Sequence, residues 1–232
     1  MAKRAAGTTT AGRTAGRAAG GAAGRAARPG AQQWVPDGGD VAALRQAAHA
    51  CRGCELWADA TQVVFSEGPG DARLMLVGEQ PGDHEDREGE PFVGPAGRVL
   101  ADALAAAGVD PETVYVTNAV KHFRFEQRGK RRLHKTPDVA HVRACSPWLR
   151  AERAAVRPHV VVALGATAAR AVLGRPVRVG AERGQVLDSE GSAVVVTTHP
   201  SALLRLRGRD GWDEAFDALV ADLRTARAAA GE

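Results

Sequence analysis

Four short apolar runs rich in β-branched residues alternate with segments of helical spacing. This alternation predicts a three-layer α/β/α domain built on a central, mainly parallel sheet covered on both faces. The runs are Arg73 to Val77, Thr113 to Val120, His159 to Leu164 and Ala193 to Thr198. An apolar fraction of 44% over 232 residues suits one domain with a sizeable core.

The elements follow in order. Asp40 to Ala50 has helical spacing with Asp40 as N-cap, and it delivers Cys51 and Cys54 at its end. Arg73 to Val77 is a buried strand leading into Gly78-Glu79-Gln80-Pro81-Gly82-Asp83, and Gly94-Pro95-Ala96-Gly97 turns into a helix over Arg98 to Ala107. The second strand ends at Asn118, with Lys121 and His122 just beyond. Phe123 to Thr136 reads as a strongly basic loop, after which Pro137 opens a helix that runs to about Val156 and carries Cys145. The third strand turns at Gly165 into a helix over Ala166 to Leu173. The last strand ends at His199-Pro200-Ser201, and Trp212 to Ala229 makes a closing amphipathic helix.

Residues 1–33 hold Lys3, Arg4, Arg13, Arg17, Arg25 and Arg28 and no acid. Subtracting these six charges from the net +4 leaves about −2 for the remainder, so the basic balance belongs to this tail. Its Ala/Gly/Thr/Arg composition offers little to bury and reads as disordered, either a tether to phosphates or a passive leader; residues 34–232 form the folded domain. No apolar run is long enough to span a membrane and no hydrophobic segment marks a secretory leader, which leads us to expect a soluble, cytoplasmic, nucleoid-associated monomer. Three cysteines, two of them as Cys51-Arg52-Gly53-Cys54, argue for metal or redox chemistry rather than a disulfide framework.

Three strand ends place the Glu79 to Asp83 loop, Asn118 and His199 along one sheet edge, the edge where open α/β sheets bind ligands. Each residue also has a plainer reading. Phe92 alone reads as core, Asn118 as a strand-end turn residue, His199 before Pro200 as a turn fixer, and Glu85, Asp86, Glu88 and Glu90 as a solvated acidic loop. Arg98, Lys121, Arg205, Arg207 and the loop arginines suit phosphate contacts or a solvated face.

Taken together, Gly78-Glu79-Gln80-Pro81-Gly82, Pro91-Phe92-Val93-Gly94, His199-Pro200-Ser201 and the cysteines resemble the iron–sulfur uracil-DNA glycosylases of families 4 and 5 over roughly residues 48–228. Lys130-Arg131-Arg132-Leu133-His134-Lys135-Thr136-Pro137 resembles the inserted Arg-rich loop of the UdgX type, whose members excise uracil and stay covalently bound to DNA through the loop histidine. Gln80 also fits that type. The resemblance implies a uracil-DNA glycosylase-like fold, uracil-containing DNA as partner with single-stranded DNA among its substrates, and His134 as nucleophile. Phe92 would stack on a flipped uracil and Asn118 pair with its imide edge, beside Gln80. His199 would donate to the anion on the departing base, and Glu79 and Asp83 would offset the sugar's positive charge. Arg131, Arg132, Lys135, Ser201 and Arg205 would contact DNA.

In that family the third cysteine follows the second strand, where this chain reads Val120-Lys121-His122. The departure suggests Cys51, Cys54, His122 and Cys145 as a ligand set, with His49 and His141 weaker candidates more in keeping with ordinary surface residues. Ligand chemistry favours zinc, whereas the resemblance favours a structural [4Fe-4S] cluster. Two other functions remain open on the residues: an ordinary glycosylase that turns over with water as nucleophile, His134 only touching phosphate, and a non-catalytic, metal-bearing DNA-binding module.

Overall fold

The computed structural model describes residues 1–2 and 28–231. Among the described residues, strands β1 (Ser66–Glu67), β2 (Leu74–Gly78), β3 (Val114–Asn118), β4 (Phe125–Arg128), β5 (Arg131–His134), β6 (Val160–Leu164), β7 (Val186–Ser189) and β8 (Ser192–Thr197) are interleaved with nine α-helices. These are α1 (Val41–Ala48), α2 (Leu56–Asp59), α3 (Asp83–Glu88), α4 (Pro95–Ala107), α5 (Val139–Val156), α6 (Gly165–Leu173), α7 (Val179–Glu182), α8 (Pro200–Leu203) and α9 (Trp212–Ala230).

Six strands form one sheet in the order β1-β3-β2-β6-β8-β7. The inner four are parallel, and β1 and β7 close the edges antiparallel. The chain steps from β2 outward to β3, then returns past β2 to β6 and β8. The direction of winding thus reverses between β2 and β6, which opens a crevice at the carboxyl ends of these strands.

Side chains alternate across the parallel strands, so both faces are buried. Leu74 and Leu76 of β2, with Val160 and Val162 of β6, pack under α4 and α9. Met75, Val77, Val161 and Ala163 face the opposite layer, under α5 and α6. The three-layer architecture read from the sequence is therefore the observed one. The expected helices and strands recur with boundaries shifted by up to three residues, and Asp40 caps α1 by accepting from the Ala43 N–H.

Other elements depart from expectation. The segment read as a basic loop contains a hairpin, β4 paired with β5, turning at Gly129 with φ of 60°. Its one apolar stripe is too short to show period-two alternation, so pattern reading misses it. Residues 28–33, grouped with the tail on composition, pack against the domain: Ala31 is buried, and Arg28 pairs with Glu55 and Asp138. The rest of the proposed tail, residues 3–27, lies outside the described residues.

Lys121 does not face DNA or solvent. Its ammonium is 1% exposed and lies 2.6 Å from Glu152, itself 0% exposed, with Thr117 and Tyr115 completing the network between β3 and α5. A buried charge left without its partner keeps its full desolvation penalty. Glu152→Ala is accordingly expected to lower unfolding stability by about 3–5 kcal/mol, read as a fall in the midpoint of chemical denaturation at pH 7.

Candidate active site

Four strand ends, rather than three, meet at a cleft of about 650 Å³. After β2 come Glu79 and Gln80; β3 ends at Asn118; β6 runs into Gly165 and Thr167; and β8 leads to His199. The hairpin adds His134 from one side, and Phe92 forms part of the wall.

The wall at Phe92 is enforced by backbone crowding. Phe92 adopts φ of 59°, a left-handed conformation that a bulky residue seldom takes. Its carbonyl lies 1.5 Å from where a Cβ on Gly97 would stand, and its ring edge 2.7 Å from a Cβ on Gly78. Only glycine at both places lets the segment close. Glu85 secures it from the far side, accepting from the Gly82 and Gly94 N–H groups at 3.0 and 2.9 Å. The Phe92 ring then stacks on His199, centroids 6.1 Å apart at 27°.

His199 has a defined tautomer. Its Nδ1 accepts from the Ser201 backbone N–H at 3.1 Å, so in the neutral ring the proton sits on Nε2. Burial, with a smaller contribution from His134, pulls its pKa down to about 4, so the ring is a neutral donor at pH 7. Asn118 is buried at the β3 end and lines the cleft. We find no side-chain hydrogen bond for it among the described residues.

Gln80 joins the β2 loop to the hairpin. Its Oε1 accepts from the Arg124 N–H at 3.1 Å, and its Nε2 donates to the carbonyls of Arg124 and Lys135 at 3.1 and 3.3 Å. The backbone therefore fixes which end of the amide is NH₂. That end lies 3.0 Å from His134 Nε2, so its two hydrogens are shared among the two carbonyls and, when the imidazole proton sits on Nδ1, the ring nitrogen. Glu79 Oε1 lies 3.6 Å from the same nitrogen, and Glu79 Oε2 accepts from the Thr167 hydroxyl.

Two expected roles change. Asp83 does not line the cleft; its carboxylate is 2.5 Å from Arg132 and 2.9 Å from Arg87. Arg132 is equally committed, pairing with Asp83 and with Asp86 at 2.6 Å while lying over Phe123 and Phe125. Its guanidinium anchors the hairpin and is not available to a phosphate. Glu85 and Asp86, read as a solvated loop, are buried, and only Glu88 and Glu90 of that group are exposed. Arg131, Lys135, Ser201 and Arg205 are exposed, and Ser201 and Arg205 line the cleft.

A sequence profile of the uracil DNA glycosylase superfamily matches residues 65–224. The chain belongs to the uracil-DNA glycosylase superfamily. It is 40% identical over 162 residues to a type-4 uracil-DNA glycosylase of Thermotoga maritima, spanning 69% of this chain and 81% of that protein. It is 34% identical over 180 residues to the type-4 enzyme of Pyrobaculum aerophilum, spanning 73% and 88%. The type-5 enzyme of the same organism matches at 33% over 208 residues, 82% and 87% of the two chains.

In this superfamily member the three cysteines share a buried cluster around Trp148, between α1 and α5. The Trp148 indole donates to Cys51 Sγ and the Lys121 N–H to Cys145 Sγ, each at 3.3 Å. Burial pushes Cys54 up to about 11 and Cys145 up to about 12, and the thiols act on one another. N–H donors on two of the three buried sulfurs are contacts that a thiolate-held group takes. As placed, no three His, Cys, Asp or Glu among the described residues close around a single ion. His122 is buried, and the charges acting on it are Asp86 and Arg52. His141 is not a surface residue. It is buried, takes the Asp138 N–H on Nδ1 and reaches Glu55 with Nε2 at 3.0 Å. His49 is exposed at the end of α1.

Thr167, Gly165 and Glu85 are among the cleft residues to which the sequence reading gave no role in the site. Gly165 after a buried strand was the available signal for the first two; Glu85 had none, because its partners are backbone groups.

Burial of His199 makes stability depend on pH. Its folded pKa lies below its ordinary value near 6.5, so the unfolded chain binds more protons between about pH 6.5 and 4 and stability falls as pH drops through that window. His199→Gln is expected to make melting temperature decline less steeply from pH 7 to 4.5 than in wild type, with no change in slope above pH 7.

Proposed function

We propose that this protein excises uracil from DNA and then holds the abasic site covalently through His134. The observation that carries this reading is the placement of His134 Nε2, 3.0 Å from the Gln80 amide nitrogen and 3.6 Å from Glu79, inside the cleft that also holds Phe92, Asn118 and His199. Family membership and the type-4 relatives support the excision half. The hairpin geometry supports the capture half.

The residues divide the chemistry. A uracil turned out of the stack is sandwiched against Phe92, and Asn118 offers its unengaged amide to the imide edge. As the bond between uracil N1 and sugar C1′ breaks, its electron pair leaves with the base, and the His199 Nε2–H donates to the resulting anion. The sugar is left cationic, and the Glu79 carboxylate offsets that charge. In the tautomer with its proton on Nδ1, His134 carries its one in-plane lone pair on Nε2; that pair leaves the Gln80 amide and bonds to C1′. The alkylated ring then returns to neutrality by losing its Nδ1 proton to solvent, to which the 48% exposed side chain is open. Alkylated imidazole is a poor leaving group, so one turnover ends the enzyme's work.

Arg131, Lys135, Ser201 and Arg205 are assigned to DNA contacts around the cleft rim, single-stranded DNA included. Arg132 and Asp83 are reassigned to holding the hairpin. Cys51, Cys54 and Cys145, with His122 as fourth ligand, would hold a [4Fe-4S] cluster. When bound, the cluster would join α1 to α5 behind the hairpin as a structural staple, and no chemical step at the sugar involves it.

Wild-type protein incubated with a labelled uracil-containing oligonucleotide is expected to give a heat- and SDS-resistant band of reduced mobility. His134→Ser should abolish the band while leaving DNA that breaks at the uracil position after alkali. Wild-type DNA that is alkali-labile with no shifted band means a water-using glycosylase; DNA left intact means a binding module. Protein purified without oxygen should be brown, with iron and acid-labile sulfide near four each per chain; a colourless zinc protein would sink the cluster assignment.

A further inference from the structure

We propose that Thr167 is a positioning residue for the excision reaction, acting through Glu79; the inference rests on the excision reading above. The Thr167 hydroxyl donates to Glu79 Oε2, which leaves Oε1 as the oxygen that faces His134 Nε2 at 3.6 Å. A carboxylate on a single-bonded stem has two equivalent oxygens and can rotate. Occupying one of them fixes the plane of the group and the direction of the other. The free oxygen is then held toward the place where positive charge develops on the sugar.

The fold explains how a residue 88 positions away comes to do this. β6 lies beside β2 in the sheet, with Val77 opposite Ala163, so the residues following the two strands emerge side by side. Gly165 then turns at φ of 87°, and a Cβ there would come within 3.1 Å of the His199 Cβ. The left-handed glycine lets α6 start at the strand end, against His199, and brings its third residue over Glu79. One turn thereby seats both the wall beside His199 and the donor to Glu79. A hydroxyl suits this position: it donates to the carboxylate without the added charge that a lysine or arginine would bring near the developing cation.

The test is single-turnover release of uracil by the full-length protein, alongside affinity for uracil-free DNA by gel shift. Thr167→Val keeps the shape and removes the donor. It is expected to slow release about 10- to 100-fold, the scale of losing a hydrogen bond to a charged group, with DNA affinity unchanged. Thr167→Ser restores the donor and should return most of the rate, a rescue that a purely structural role does not predict. Thr167→Ala is read by the same criteria should the valine variant not fold. Release by the valine variant at the wild-type rate, or a serine variant as slow as the valine one, overturns the proposal. Wild-type protein that releases no uracil overturns the excision reading itself, and that failure is visible before any variant is compared.

Discussion

Asp86 carries its carboxylate to a place that water does not reach, with 0% of the residue exposed, and Arg132 is the group that neutralises it there. The Thr61 N–H adds a hydrogen bond to the same carboxylate. Withdrawing one partner from a buried pair costs about 3–5 kcal/mol, because the other is stranded in low dielectric. The hairpin that carries Arg132 is therefore held down at its inner face. Phe125 and His134 lie opposite each other on that face, as do Gln127 and Arg132. Anchoring Arg132 thus fixes His134 two residues further on. Gln80 completes the attachment from the β2 loop, and through it the nitrogen of His134 is both located and oriented.

A second constraint is steric. The left-handed Phe92 backbone is wedged against α4 where Gly97 leaves room, and its ring crowds Gly78 at the end of β2. Local strain of about 1–3 kcal/mol persists only where surrounding contacts over-determine the conformation. Here those contacts are the packed α4 and the Glu85 bridge between two backbone N–H groups. The outcome is a preformed slot with an aromatic wall and a neutral histidine donor. Such a slot offers a flat base an aromatic face and a hydrogen-bond donor.

The cysteine region is tied to the same hairpin by polar contacts. Asp138 caps α5, accepts an ion pair from Arg28 and stands 3.8 Å from Arg124, whose guanidinium also reaches the Thr136 carbonyl at the hairpin base. Glu55, just past Cys54, is shared by Arg28 and His141, and Arg28 holds its carboxyl down at about 2. Segments far apart in the chain thus converge behind the loop that carries the proposed nucleophile. A group bound by the thiols would stiffen this convergence from the apolar side, where Trp148 packs on Phe65.

Much of this protein was determined by sequence alone, because the deciding information is local. Continuous apolar runs rich in β-branched residues specify strands buried on both faces, Asp40 specifies a helix start, and the ordered motifs specify the strand ends that carry Glu79, Asn118 and His199 and the segment that carries Phe92. The tertiary structure decided which charges are free. Arg132, Lys121 and His141 look in sequence like groups for phosphate or solvent, yet each is used inside the protein by an acid 46, 31 and 86 residues away respectively. Thr167 and Glu79 likewise meet only because β6 lies beside β2. A polar side chain's role depends on the partner and the dielectric it meets, and both are set by strand order and helix packing, which no local pattern encodes.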